Sequence, residues 1–413
     1  MLYDLTGALR RLRAVRREAW AIIGGLFVVG VGNYMVIPFF ALYCTKQLGL
    51  SAVEVGVLLT MRLWTQRGCA LLGGMLADRF TPRRVMIAGM LCRFVGFLGI
   101  AASGQFYPLA IFTALTGFGS ALYTPAGKAA LIGLSAGGDK LLILALRNTA
   151  YNVGGAVGPV VGLVGAFISY RWTLVGGGCL FVVAAIAIAL LVTDRHAGHV
   201  ARPMALRGAR SLLADVRVLV LCIALLVFFT FYVQLELTLP LFANHAFSDS
   251  AVALLFIVNA AVTILLQLPL SGWIDRLRIT SALAVGFGCT GLGLLLIAVP
   301  LGVPSFVLGM IVFSLGEILV EPKIDSELGG IVPGSLLGTA FGLASLACSI
   351  GGAVGHELGA VGLPMAARLG GESWFFVALG IAGVIAAYAI SMTVRAVSAN
   401  RFVHIPETTR SAA

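Results

Sequence analysis

Three carboxylates, Glu317, Glu321 and Asp325, fall at i, i+4 and i+8 inside one long apolar run. A helix there carries them along one slowly drifting stripe. Arg62 and Arg93 lie well inside two other apolar runs, and Glu236, beside Gln234, sits toward the end of a fourth that closes on Pro240. An ionisable side chain in hydrocarbon costs roughly 3 kcal/mol or more, so such residues mark ion or substrate paths or pair with one another. A carboxylate in an apolar cavity holds a proton more readily than in water, which suits Glu236, Glu317 and Glu321 to take up a proton on one side and release it on the other. Arg62 and Arg93 suit an anionic group of a substrate or the charge of a carboxylate. His356-Glu357 forms a neighbouring pair able to gate, and Asn33, Tyr34, Pro38, Trp64, Phe94, Tyr123, Phe228, Phe231 and Tyr232 are candidates to line an amphipathic pocket.

The elements that position these groups must cross a membrane. Of 413 residues, 60% are hydrophobic and 11% charged, which excludes a soluble globule. One crossing takes about 20 apolar residues, so the chain has room for about twelve helices and little else. Leu219–Phe229 and Leu180–Val192 are almost continuously apolar, against the alternation that a barrel strand requires. The expected fold is therefore an all-α polytopic membrane protein. The seven cysteines form no metal-ligand spacing, and the chain holds neither a phosphate-binding P-loop nor a metalloprotease HExxH. An enzyme and an ATP-driven pump are thereby disfavoured, and no cofactor is expected.

The net charge of +11 sits where a membrane topology puts it, not in a nucleic-acid-binding face. Assigning loops alternately places nineteen of the 28 Lys and Arg on the amino-terminal side, three (Lys46, Arg171, Arg368) on the other and six inside apolar runs. The positive-inside rule then puts both termini in the cytoplasm of a multi-pass inner-membrane protein. The first apolar run, Ala21–Leu42, is long enough to span and reads as a retained helix, not a cleaved signal.

A duplication organises the chain. Asp78-Arg79 recurs as Asp275-Arg276, Gly119-x-x-Leu122-x-x-Pro125 as Gly316-x-x-Leu319-x-x-Pro322, and Gly154–Gly158 letter for letter as Gly351–Gly355. Each pair is 197 residues apart (275 − 78, 316 − 119, 351 − 154). The chain divides into an amino-terminal six-helix half over 1–195, a basic cytoplasmic linker over 196–217 and a second six-helix half over 218–413. Parallel six-helix repeats enclose a midplane cavity that rocking can open to either side, which is a transporter plan.

Gly73–Arg84, with Gly74, Asp78, Arg79, Arg83 and Arg84, resembles the loop signature G-x-L-a-D-r-x-G-r-r of the major facilitator superfamily, with Thr81 where that family prefers glycine. The resemblance implies a cytoplasmic gate. Gly154, Gly158, Pro159 and Gly162 resemble its antiporter motif G-x-x-x-G-P-x-x-G, whose second copy here carries His356 in place of Pro159. The helix-four signature R-x-x-q-G is a departure: aligned on Gly117, it puts Thr113 where the proton-coupling arginine belongs. Met61–Gly68, Gly89–Phe97, Leu115–Gly119, Glu321-Pro322 and Ser349–Ala353 are similar to multidrug exporters of the drug:proton antiporter group.

The resemblance implies the twelve-helix fold of that superfamily and a monomeric secondary transporter in membrane lipid. It would export small organic molecules by proton antiport, driven by the proton gradient. The substrate is a drug or an endogenous metabolite such as a siderophore. The alternatives are a proton-coupled importer of a small nutrient and a non-transporting receptor.

Overall fold

The computed structural model describes residues 16–134, 140–193, 212–299, 301–332 and 336–399, and among these it is helical with no strand. The helices are α1 (Arg17–Gln47), α2 (Ala52–Gly68, resumed as Ala70–Arg79), α3 (Pro82–Ala102), α4 (Phe106–Leu134), α5 (Lys140–Ile168) and α6 (Tyr170–Leu191). The second set is α7 (Val216–Ala246), α8 (Asp249–Arg276), α9 (Ile279–Ala298), α10 (Val303–Ile331), α11 (Leu337–Leu369) and α12 (Ser373–Ala399). Eleven of them contain a stretch long and apolar enough to cross a membrane. The twelfth, α2, falls short because it is interrupted at Cys69 and carries Glu54, Arg62, Arg67, Asp78 and Arg79. Of the basic linker, residues 196–211 lie outside the described residues, as do Arg10, Arg11 and Arg13, and α7 is already helical at Val216.

The 197-residue offset extends into backbone detail. α2 starts at a capping box in which the Ser51 hydroxyl accepts from the Glu54 amide while the Glu54 carboxylate accepts from the Ser51 amide at 2.8 Å. α8 starts at Ser248, 197 residues on, whose hydroxyl accepts from the Ala251 amide. α1 breaks at Met35-Val36 and α7 at Val233–Leu237, the same places in the two repeats. Pro38 opens the second segment of α1. Pro240 sits near the start of the second segment of α7. Such breaks free carbonyls at mid-depth, where side chains can re-satisfy them. Gln234, fully buried at the α7 break, does so by donating to the Thr230 carbonyl at 2.9 Å; it also donates to the Gly355 carbonyl of α11 at 2.8 Å and accepts from Thr238 at 2.9 Å.

Glycines set the closest helix contacts. A Cβ on Gly154, Gly158 or Gly162 of α5 would come within 2.4 Å of the Phe27 oxygen, 2.7 Å of the Tyr34 Cβ and 2.3 Å of the Met35 oxygen, all on α1. Their repeat partners Gly351 and Gly355 seat α11 against Leu226 and Thr230 of α7 in the same way. Small residues four apart let backbones approach closely, so this motif holds α1 against α5 in one half and α7 against α11 in the other.

The halves join at the end bearing the α1–α2 and α7–α8 loops. There a Cβ on Gly56 of α2 would meet the Ala360 Cβ of α11 at 3.0 Å, and Lys46 pairs with Asp249 at 3.2 Å. Nearer the opposite end, Lys128 of α4 and Asp325 of α10, again 197 residues apart, are both exposed.

Candidate functional site

Arg62 lies on the second half of the first α2 segment, where the helix faces α7 and α11. Its Nη2 donates to Glu236 Oε2 at 2.5 Å and its Nη1 to Gln66 at 3.3 Å. The same carboxylate oxygen stands 3.7 Å from His356 Nε2, while His356 Nδ1 is 3.3 Å from the Thr60 hydroxyl. These contacts bridge the two halves: α2 belongs to the first, α7 and α11 to the second. His356 is fully buried and meets Glu236, not its chain neighbour Glu357, which corrects the adjacent pair expected from sequence. Helix geometry is the reason, since successive residues point about 100° apart.

Arg93, on α3, is 5% exposed and makes a different set of contacts. Its Nη2 donates to Asn33 Oδ1 on α1, whose amide nitrogen in turn donates to the Tyr151 hydroxyl on α5 at 3.2 Å. Its guanidinium lies 4.3 Å from the centre of the Phe181 ring and 5.8 Å from that of Phe97. Arg93, Arg62 and Thr113 line one cavity within the first half. Thr113 is the α4 position that lacks the arginine, so guanidinium groups reach the space beside it from α3 and α2.

Glu317, on α10, is half-buried and accepts from Asn259 Nδ2 on α8 at 2.8 Å; that nitrogen also donates to Ser314 at 3.0 Å. Among the described residues no Lys, Arg or His nitrogen comes within 4 Å of Glu317. Tyr232 on α7 and, across the halves, Tyr34 on α1 are within electrostatic range of it. One turn along, Glu321 pairs with Arg67 at 3.6 Å, and Arg67 stacks 4.3 Å over the Phe229 ring. The stripe of three carboxylates thus divides by partner: Glu317 has the Asn259 amide and the Tyr232 phenol, Glu321 an arginine, and Asp325 an exposed position.

Among the pocket candidates, Phe228 and Phe231 are instead packed into the second half against Phe287, their centroids 5.9 and 6.5 Å from its ring, and Tyr123 is buried with its hydroxyl unpartnered. Trp64 is exposed. Asn259, Tyr151 and Thr60 were not singled out from sequence, although Asn259 is detectable as the repeat counterpart of Arg62, 197 residues on.

At the gate signature, the tight contact belongs to Gly73, whose Cβ would stand 2.0 Å from the Ala121 oxygen; Gly74 has nothing within 4 Å. Thr81, at φ 156°, is the one described non-glycine residue with positive φ, which accounts for the family preference for glycine there. In exchange its hydroxyl caps α3, accepting from the Arg84 amide. Arg83 donates to the Ala189 carbonyl of α6 at 2.5 Å, and Arg79 lies 5.4 Å over Phe80. The side chain of Asp78 lies outside the described ones. Gly73→Ala should therefore cut the yield of folded protein several-fold, whereas Gly74→Ala should leave it unchanged. Gel filtration of the detergent-extracted variants measures both.

A family model for the major facilitator superfamily matches residues 22–356. The chain belongs to this superfamily. Curated relatives include the multidrug resistance protein MdtH of Aeromonas hydrophila, 28% identical over 376 residues (90% of this chain, 94% of the relative), and that of Sodalis glossinidius, 28% identical over 340 residues (80% and 82%). Among solved structures, the nucleoside transporter NupG superposes with a TM-score of 0.79 at 14% identity, covering 92% of this chain and 99% of that one. The peptide transporter POT in complex with sulfate gives 0.78 at 16%, covering 92% and 95%. At these identities the superpositions establish the fold. As a member of the superfamily the chain is a multi-pass membrane transporter, not an enzyme.

Proposed function

We propose that this superfamily member exports small organic molecules, amphipathic cations among them, across the inner membrane in exchange for protons. The observation that carries the reading is Glu317, a half-buried carboxylate with, among the described residues, no cation within 4 Å, held by the Asn259 amide and the Tyr232 hydroxyl. One carboxylate can take a proton or a cationic substrate but not both together, and mutually exclusive occupancy of one group is sufficient for antiport. The similarity to MdtH proteins favours multidrug substrates over a single metabolite. Glycines of the antiporter motif act by packing α5 onto α1, keeping the first half rigid as it rocks.

Arg62, Glu236 and His356 form the most buried charged contact between the halves and, with Lys46–Asp249, hold one end closed. With both termini in the cytoplasm, that end faces outward, and the exposed Lys128 and Asp325 face the cytoplasm. The chain acts as a monomer with no cofactor besides the proton gradient.

Everted membrane vesicles test the reading. Energised vesicles containing the protein should accumulate ethidium against a gradient, and an uncoupler should abolish the accumulation. Accumulation equal to that in vesicles lacking the protein would reject cationic drug export; accumulation indifferent to the uncoupler would reject proton coupling.

A further inference from the structure

The first six-helix half contains a buried positive charge that, among the described residues, no carboxylate neutralises. Of the arginines inside its spans, Arg62 and Arg67 pair with Glu236 and Glu321, and Arg147, near the start of the α5 span, donates to Asn148 at 2.8 Å. Arg93 has, among the described residues, no carboxylate within 4 Å; its partners are the amide oxygen of Asn33 and the faces of Phe97 and Phe181. Ring faces and an amide dipole offset part of the cost of burying a guanidinium, but they leave the charge in place.

Three hydrogen-bond donors in the same neighbourhood are also unmatched. Arg93 Nε, Arg62 Nε and the Thr113 hydroxyl are buried without a partner, and Thr113 itself is 1% exposed. All three residues line a cavity of about 20 Å³, together with Asn33, Thr116 and Ser120. Thr116 and Ser120 donate to backbone carbonyls one turn back, so Thr113 is the threonine whose hydroxyl hydrogen is available to a guest. A space of this size takes about one water-sized group. A neutral water would satisfy donors but not charge.

We propose that this cavity binds a small monovalent anion, either a free halide such as chloride or the carboxylate of an organic solute, which would neutralise Arg93 and accept from Thr113. The site is separate from Glu317 and does not depend on the direction of transport or on proton coupling. Glu236 is no obstacle, because its charge is already engaged by Arg62 at 2.5 Å. The remaining walls are apolar side chains of α1, α2 and α3, Val36, Phe40, Leu59 and Ile100 among them, which favour a weakly hydrated anion over a strongly hydrated one.

The test uses the full-length protein in detergent, with its unfolding midpoint followed as sodium gluconate is replaced by sodium chloride, or by sodium formate, at constant ionic strength. Gluconate is too large for the cavity and serves as the reference. A ligand binding only the folded state should raise the midpoint saturably, by about 2–4 °C at a large excess over its dissociation constant. Protection by chloride identifies a free ion as the guest; protection by formate but not chloride identifies a carboxylate. In Arg93→Gln the saturable rise should vanish. If that variant does not fold, Thr113→Val, which keeps the shape and removes the hydroxyl, should still raise the half-saturating concentration at least threefold. No rise with either anion, or an equal rise in Thr113→Val, would overturn the proposal.

Discussion

Glu317→Gln is expected to abolish uncoupler-sensitive accumulation of ethidium in everted vesicles, a fall of tenfold or more, while leaving the protein folded. The substitution keeps the shape and the hydrogen bond from Asn259 but removes the group that a proton and a cation compete for. Export of a neutral substrate should be uncoupled, not slowed: the variant should still exchange a neutral dye down its gradient, with a rate that no longer responds to the imposed proton gradient. Glu321→Gln should do less, because Glu321 already shares its charge with Arg67 at 3.6 Å. Equal losses in both variants would show that the stripe acts as a unit and that Glu317 has no special place in it.

The second large effect concerns the bond between halves. Arg62→Gln leaves Glu236 buried without its arginine, and breaking one member of a buried pair costs roughly 3–5 kcal/mol. The pair is 12% and 18% exposed, so the lower figure applies. The unfolding midpoint should fall by several degrees and transport should be lost. Arg62→Gln combined with Glu236→Gln removes both charges and should recover most of the midpoint, since two neutral amides leave no unpaired ion. Transport should stay impaired, because the halves lose their most buried charged bond, whose making and breaking distinguishes the two conformations, while the more exposed pairs Lys46–Asp249 and Arg67–Glu321 remain. A double variant as unstable as the single one would show that Arg62 is held by contacts other than Glu236.

Much of the fold is legible in the sequence because a bilayer constrains it so strongly. Apolar runs of the required length anticipate a helical bundle, and the 197-residue offset reappears in the Ser51 and Ser248 caps and in the paired breaks of α1 and α7. Counting residues from the helix ends picks out Arg62, Arg93 and Glu317 as candidates, but it does not give their partners. Rotation is not legible. In spans apolar on nearly every side, no stripe records which face meets which neighbour. Hence the sequence does not foretell that Arg62 meets Glu236, 174 residues away, that His356 turns from Glu357 to the same carboxylate, or that Phe228 and Phe231 pack inward. The same lack of facial information makes Gly73 and Gly74 indistinguishable until Ala121 is placed beside one of them. Repeat symmetry is the one signal that carries some rotational content. Laid over the first half, it sets Asn259 at the place of Arg62, so that corresponding positions hold an arginine bound to Glu236 in one half and an amide bound to Glu317 in the other.

The central claim is that one carboxylate is exchanged between proton and substrate, and purified protein in lightly buffered detergent solution with a pH indicator tests it most directly. Adding saturating ethidium at a pH where Glu317 is mostly protonated should release close to one proton per bound drug from the wild type and none from Glu317→Gln. Binding without proton release in the wild type, or undiminished release in the variant, would contradict the account.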